Sequence, residues 1–352
     1  MLVNLHERRS QLEDFLVNIL PTFPFDANSP TSDNVGDQQA ALGAALQVAL
    51  KIICSSGGRI TLIQTSLPEA GNKSDGSVLA IREDPNQRTA NSSNSTTALT
   101  PLLNPVTDFY KRLALECSEQ QVTVDLFNLS ASYSDLATVG TIAKFSGGTI
   151  LYYGGGGTPS SPNALNSILN QFEADFKHYL TRPIGFEAVL RLRASRGMAI
   201  HTFHGNFFVR STDLIALPNV NPDSAYAIQM TINEDLKEYS QICFQSALLY
   251  TASNGERRIR VHTISLPVVT IMSEVIAGAD QEAIVCLLAK MAVDRSMQSN
   301  IQDAREAIIY ANVDIINTYR TCNANQYAGL FTSASTKLLP LYALALMKHV
   351  SC

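Results

Sequence analysis

The chain has 352 residues, of which 45% are hydrophobic and 16% charged, with a net charge of −5 and a mean hydropathy of +0.04. That length accommodates two or three domains of about 100–200 residues each, with a true apolar core. The acidic balance argues against a dedicated nucleic-acid binder, which carries a basic surplus or a dense basic stripe. No stretch reaches the roughly 18 apolar residues of a membrane span, so any membrane contact is expected to be peripheral.

In chain order, residues 2–20 set Leu5, Leu12, Phe15, Leu16 and Ile19 at mostly helical spacing, with charges of both signs between them. This predicts an amphipathic helix ended by Pro21 and Pro24, not a targeting segment. Residues 38–54 predict a second helix, closed by Gly57 and Gly58, and residues 59–64 (RITLIQ) a short strand. Residues 66–104 are rich in Ser, Asn, Pro and Gly and are expected to form a long mobile surface loop. A helix over 108–119, a strand over 122–129, a helix over 135–145, a strand over 149–153 and a helix over 162–180 follow. Such alternation implies a parallel sheet with helices on both faces. Past Pro183 the period falls to two, and residues 187–193, 199–204, 226–232, 244–251 and 258–264 read as strands of an antiparallel β-sandwich. Asn254-Gly255 marks a hairpin. A two-residue turn there would set Thr251 opposite Arg258, Leu249 opposite Arg260 and Ala247 opposite His262, with an apolar face of Leu248, Val261, Tyr250 and Ile259 behind a mixed basic one. After Pro267, residues 281–294, 300–322 and 335–349 predict helices. The fold class is therefore α/β plus all-β plus all-α, divided as residues 1–182, 183–268 and 269–352.

Little in the chain assembles chemistry. Cys54, Cys117, Cys243, Cys286, Cys322 and Cys352 contain no CxxC pair and are read as buried, reduced thiols. Sequons at Asn72, Asn91, Asn94 and Asn128 matter only in a secreted chain, and no signal peptide precedes them. The glycine run Gly154 through Gly157 lacks the Lys-Ser/Thr of a phosphate-binding loop; a nucleotide-binding α/β protein using it is the alternative reading. His201 and His204 would point to opposite faces of a strand and do not suit one metal. Asp125 lacks the DxSxS context of a metal site and is read as a cap or hydrogen-bond acceptor. No nucleophile, base and oxyanion donor converge, so the chain is expected not to be an enzyme.

The tract from Phe186 to His204 (FEAVLRLRASRGMAIHTFH) stands apart, because Arg191, Arg193 and Arg196 interrupt an apolar strand-like run. Arg191 and Arg193 share a strand face, as do Arg258 and Arg260. The pattern alone leaves two readings open: solvated positions that keep a sheet edge soluble, or basic strands lining a site for an acidic peptide over an apolar floor at Leu249.

A resemblance separates them. The segments PLLNPVTDFYKRLALECSEQQVTVDLFNLSASYSDLATVGTIAKFSGGTILYY, IHTFHGNFFVRSTDLIALPNVNPDSAYAIQM, SALLYTASNGERRIRVHTISLPV and STKLLPLYALALMKH resemble, in order, the cargo-adaptor subunit of the inner COPII coat. The resemblance covers nearly the whole chain. It implies a non-enzymatic coat protein with a von Willebrand A-like trunk, a β-sandwich and a helical domain. Such a protein pairs with the other inner-coat subunit, to which the GTPase-activating arginine belongs. A small Arf-like GTPase recruits it, through the coat, to the endoplasmic reticulum membrane. There it selects transmembrane cargo and vesicle-fusion proteins by acidic di-residue export signals, as a cytoplasmic, peripheral component of exit sites. Residue by residue, the R-x-R-x-S-x-G pattern places the family's signal-binding arginines at Arg191 and Arg193, and the Q-x-A-x-L spacing places its leucine at Leu249. Arg196, Arg258 and Arg260 are supporting basic residues by position. The paired-CxxC zinc finger, the first half of the trunk and the C-terminal gelsolin-like domain have no counterpart, so the chain is expected to be a fragment with an incomplete first sheet. Its zinc, and further basic residues of the signal site, are expected upstream, with no cofactor within these residues.

Overall fold

The computed structural model describes residues 3–5, 7–22, 40–82, 103–130, 133–154, 162–211, 213–322 and 332–348. Its first part is a parallel sheet of β1 (Gly58–Gln64), β2 (Val122–Asn128) and β3 (Ile150–Tyr152), in that order across the sheet. Every residue of β2 is buried, so both of its faces are covered. Val122, Val124 and Leu126 pack into a core with α2 (Leu42–Ile53) and α3 (Phe109–Glu119). On the other face Phe127 meets Phe172, Phe176 and Tyr179 of a later helix (Pro162–Thr181) edge to face, with ring centroids 5.9, 5.5 and 5.0 Å away. Each such pair adds about 0.5–1.5 kcal/mol beyond simple area burial.

Several expectations need correction here. Helix α1 (Arg9–Thr22) starts later than expected and runs one residue past Pro21, where a missing N–H costs a single bond of the last turn; Pro24 lies outside the described residues. The helix expected over 135–145 is broken at Gly140 into α4 (Leu136–Val139) and α5 (Thr141–Ser146). Asp135, at φ +44°, caps the first of these by accepting from Thr138 N (3.3 Å) and Thr138 Oγ1 (2.9 Å). The same carboxylate accepts from Arg82 Nη2 in a largely buried ion pair. Arg82 closes a stretch expected to be mobile loop. In its described part, residues 66–82, Leu67, Ser77 and Leu79 are buried and Ser77 O accepts from Tyr110 Oη at 2.7 Å. Residues 83–102 lie outside the described residues, as do Gly155 to Gly157 and Cys352. Among the described cysteines only Cys117 is buried, and burial pushes its thiol up to about 12; Cys54, Cys243, Cys286 and Cys322 are exposed.

After α6 (Pro162–Thr181), the sandwich holds a five-stranded antiparallel sheet and a two-stranded one. The larger contains β4 (Gly185–Ala194), β6 (Phe208–Ser211), β7 (Leu214–Val220), β9 (Gln241–Ala252) and β10 (Arg257–Pro267), in the order β10-β9-β4-β7-β6; the smaller pairs β5 (Met198–His204) with β8 (Ala227–Ile232). Strands β6 and β7 escaped the sequence reading. Pro218 sits inside β7, where a proline argues against an interior strand. The continuous β4–β7 register puts it opposite Glu187, the one position of that ladder without a pair, and Glu187, at φ +49°, sits in the bulge of β4 against β9. The core between the sheets is Ala188, Ile215 and Leu217, with Leu190, Phe203, Leu248 and Tyr250 against it.

The β9–β10 register also differs from expectation. Arg257 lies opposite Thr251, Arg258 opposite Tyr250, Ile259 opposite Leu249 and Arg260 opposite Leu248. Ala252 N donates to Glu256 O at 2.9 Å, so the loop is three residues, with Gly255 at φ +84°. That is the three-residue hairpin whose third position is left-handed, and it shifts every pair by one against a two-residue turn.

The last part is helical: α7 (Met272–Ala277), α8 (Gln281–Gln298), α9 (Ile301–Cys322) and α10 (Leu339–Lys348), around Ala292, Ala304, Ile308 and Ala343. Asp280 caps α8, accepting from Glu282 N and Ala283 N. The expected third helix starts four residues late, after a run of turns.

Two predictions follow from this packing. Leu217→Ala removes a fully buried side chain from the strand shared by sandwich and trunk and is expected to cost about 2–5 kcal/mol, read as a fall in the urea midpoint. Asp125→Ala orphans the Thr149 N–H (2.7 Å) and takes away the carboxylate that accepts from the Tyr179 hydroxyl (3.0 Å), leaving that hydroxyl only Thr61 Oγ1 at 2.8 Å. It is expected to cost about 1–3 kcal/mol in the same measurement, while Asp125→Asn, which keeps an acceptor, costs clearly less.

Candidate functional site

Strand β4 lies between β7 and β9, and its register sets the geometry of the arginine tract. Val189 is opposite Leu249, Arg191 opposite Ala247 and Arg193 opposite Gln245. Leu190 is opposite Leu248 on one side and Ile215 on the other, and these residues belong to the core. Alternation therefore puts Val189, Arg191 and Arg193 on the face away from that core, with Ala247 and Leu249. Through the β9–β10 register the same face takes Ile259 and Val261, which are 66% and 52% exposed. Leu249 is the diagonal neighbour of Arg191. The structure thus gathers Arg191, Arg193 and Leu249 on one outward face, two cations beside an apolar strip.

Arg191 is engaged within the chain. Its Nε donates to Asp213 Oδ2 at 2.8 Å, while Ser211 Oγ donates to Asp213 Oδ1 at 3.1 Å. The Asp213 backbone carbonyl also accepts from Leu192 N at 3.1 Å, so this residue is fixed against β4 between the two arginines. The Arg191 guanidinium, and then the Ser211 hydroxyl, hold the Asp213 carboxyl below the usual carboxylate range. The pair is part-exposed, at 48% for Arg191 and 33% for Asp213, and exposed pairs of this kind contribute only about 0–1 kcal/mol. Arg193 is exposed and has no hydrogen bond or ion pair among the described residues. Asp213 was missed in the sequence because nothing there showed that β6 and β7 bracket it.

The other arginines separate from this face. Arg196 lies in the turn between β4 and β5 and not on a strand, and its Nε donates to Glu234 Oε2 at 3.3 Å. Arg258 and Arg260 sit opposite Tyr250 and Leu248, which places them on the core-side face of edge strand β10. Arg258 Nε donates to Glu256 Oε2 at 3.0 Å and Arg260 Nε to Tyr250 Oη at 3.2 Å. Those contacts lower Glu256 and Tyr250 from their ordinary ranges. The expected single basic surface is in fact divided between two faces, because the three-residue turn moved β10 by one position. Arg257, not singled out in the sequence, takes the outward face instead and pairs with Glu187 at 3.2 Å.

Elsewhere Asp125 acts as an acceptor, and burial pushes its carboxyl upward. His201 is exposed and His204 buried, and no cluster of three or more His, Cys, Asp or Glu with metal-holding geometry occurs among the described residues. No helix is long and apolar enough to cross a membrane among the described residues. A side chain at Gly154 would meet Tyr152 Oη at 2.6 Å and Ser130 O at 2.7 Å, so close packing accounts for that glycine.

Comparison with known proteins agrees with this architecture. The family descriptions Sec23/Sec24 trunk domain, Sec23/Sec24 beta-sandwich domain and Sec23/Sec24 helical domain match residues 1–172, 185–269 and 280–351. The chain is 49% identical over 351 residues to human protein transport protein Sec24B, covering 99% of this chain and 26% of that protein. It is 48% identical over 353 residues to bovine Sec24A, covering 100% and 30%. It is 36% identical over 353 residues to sec24 of Aspergillus clavatus, covering 99% and 36%. The crystal structure of the human COPII-coat protein Sec24c superimposes with a TM-score of 0.82 at 25% identity, over 99% of this chain and 43% of that one. The chain thus spans between a quarter and under half of the length of these relatives. With three consecutive domain matches on the observed α/β, β and α parts, the chain belongs to the Sec23/Sec24 family and is of the Sec24 kind.

Proposed function

We propose that this chain is the signal-reading portion of a COPII coat subunit, binding acidic di-residue export signals on the face that carries Arg191, Arg193 and Leu249. The observation supporting this is the strand register, which brings two guanidiniums and a leucine onto one exposed surface. Guanidinium forks match carboxylates in geometry as well as charge, and the apolar strip of Leu249, Ile259 and Val261 suits a hydrophobic residue beside the acidic ones. In this reading the subunit does no chemistry and needs no cofactor within these residues. It pairs with the other inner-coat subunit, meets the Arf-like GTPase through the coat, and works in the cytoplasm against the endoplasmic reticulum membrane as a peripheral protein. Asp213 occupies Arg191 in the unliganded chain, so an acidic signal competes with an internal carboxylate for one arginine and finds the other without a partner among the described residues.

The test is a titration with a fluorescent peptide bearing an acidic di-residue signal, at two salt concentrations. Arg191→Ala with Arg193→Ala is expected to weaken binding by about 1.5–3 kcal/mol per charged hydrogen bond lost while the thermal midpoint is kept; unchanged affinity in a folded double variant would overturn the assignment. Asp213→Asn releases Arg191 from its internal partner and is expected to tighten the same peptide by about twofold to fivefold, with a steeper salt dependence, since an exposed pair is worth under about 1 kcal/mol.

A further inference from the structure

The outward face that carries Arg191, Arg193 and Leu249 continues past them onto the edge strand. Arg191 is opposite Ala247 on β9, and Ala247 is opposite Val261 on β10. The next row on that face is Val189, Leu249 and Ile259, and in the row after it Thr251 is opposite Arg257. These side chains share one side of the sheet because a face recurs every second residue. Leu249 is therefore the midpoint of a diagonal with a guanidinium-bearing residue at each end. At about 4.8 Å between strands and about 3.4 Å per residue, the Cα atoms of Arg191 and Arg257 stand roughly 17 Å apart, with Leu249 about 8 Å from each.

Arg257 repeats the circumstances of Arg191. Its Nη1 donates to Glu187 Oε2 at 3.2 Å and to Thr251 Oγ1 at 2.6 Å, while its Nε and Nη2 have no partner among the described residues. Both members of the Arg257–Glu187 pair are exposed, so the pair exchanges in water. Glu187 reaches this face from the bulge of β4, where the steps from Phe186 to Val189 answer the shorter run from Thr251 to Leu249. Ala188 points into the core, and Glu187 turns outward to Arg257. Each end of the diagonal thus carries a cation held by an internal carboxylate that a ligand can displace, Asp213 at one end and Glu187 at the other. Between them Leu249, Ile259 and Val261 offer apolar surface without charge.

We propose that this face reads a longer signal than the acidic pair, namely an apolar residue and then a further carboxylate, which Arg257 binds. The inference rests on the assignment of the acidic pair to Arg191 and Arg193. An extended peptide presents every second side chain to the sheet. With acidic residues on Arg193 and Arg191, the next side chain on that side falls on Leu249 and the one after it on Arg257. The further carboxylate is therefore expected four residues beyond the acid that meets Arg191, with the apolar residue midway. Four residues of extended chain span about 13–14 Å, and the long arginine side chains, leaning inward, close the remainder. Three carboxylates and one apolar residue then meet three guanidiniums and one leucine, a match of charge and spacing together.

The experiment titrates the 352-residue chain with fluorescent peptides by anisotropy. Two peptides carry the acidic pair and a leucine two residues beyond it, and differ only two residues further on, with Glu in one and Gln in the other. A third has the same Glu one position later, where alternation turns it away from the sheet at unchanged net charge. The Glu peptide is expected to bind about fivefold tighter than the Gln peptide, the gain from one exchangeable charge pair, and the shifted Glu to give no such gain. Arg257→Gln is expected to abolish the difference between the first two peptides, and Glu187→Gln, which frees Arg257, to widen it about twofold. The peptide comparison needs no altered protein, so it decides the matter even if a variant fails to fold. Equal affinity of the Glu and Gln peptides, an equal gain from the shifted Glu, or a difference that survives Arg257→Gln in a folded variant overturns this inference alone, provided that binding still depends on Arg191 and Arg193. Binding that ignores Arg191→Ala with Arg193→Ala overturns the assignment of the acidic pair, and this inference with it.

Discussion

Strand β7 is buried continuously from Ile215 to Asn219, and such a strand must satisfy its backbone along both edges while both faces are covered. It pairs with β4 on one edge between Leu214 and Val220, and with β6 on the other from Leu214 to Ala216. Its side chains supply the sandwich core, and Asn219 Nδ2 reaches across to Gly58 O at 2.9 Å, at the start of the first strand of the trunk sheet. Close by, Asn206 Nδ2 donates to Gly148 O at 3.1 Å. One strand thus fixes both the position of β4 and the seating of the sandwich on the trunk. The outward direction of Arg191 and Arg193 follows from that placement, since Leu190, which alternates with them, goes inward.

The electrostatics follow the same division. On the outward face Arg191 is shared with Asp213, held there by its own backbone bond to Leu192. On the opposite face, at the open edge, Arg258 and Arg260 lean on Glu256 and Tyr250. None of these pairs is deeply buried, so each is weak and exchangeable in water. Contrast the Arg82–Asp135 pair, whose side chains are 17% and 1% exposed. That pair ties the described end of a polar stretch to a helix cap, and removing one partner alone would strand a buried charge. The exposed arginine pairs exchange readily with water, whereas the Arg82 pair belongs to the scaffold.

The helical part joins the sandwich through a few contacts, among which His204–Asp294 is short and largely sheltered on the histidine side. Its core is small and alanine-rich. Close helix approach through alanines leaves less side-chain volume to fill the space between α8 and α9, which is why a groove persists where larger residues would have closed it.

Much of the fold was legible in local pattern. Alternation of helix and strand up to residue 181, the change to period two beyond Pro183 and the helices after Pro267 all depend on short-range spacing, which burial of one face enforces directly. Arg191 and Arg193 sharing a strand face is likewise a matter of period two. What escaped was decided at a distance. Pro218 hid β7 because its missing N–H is tolerated only where the neighbouring strand, at Glu187, makes no ladder pair with it. A loop of three residues rather than two moved Arg258 and Arg260 to the far face, since a single-residue shift reverses every side chain of a strand. Asp213 became the partner of Arg191, and His204 that of Asp294, 90 residues apart, only after distant segments were brought together. The amino-acid order by itself determined which residues of an element share a face; tertiary structure alone decided which way a face such as that of β10 turns and which charges meet, because pairing between strands and helices depends on register and contact that no local period encodes.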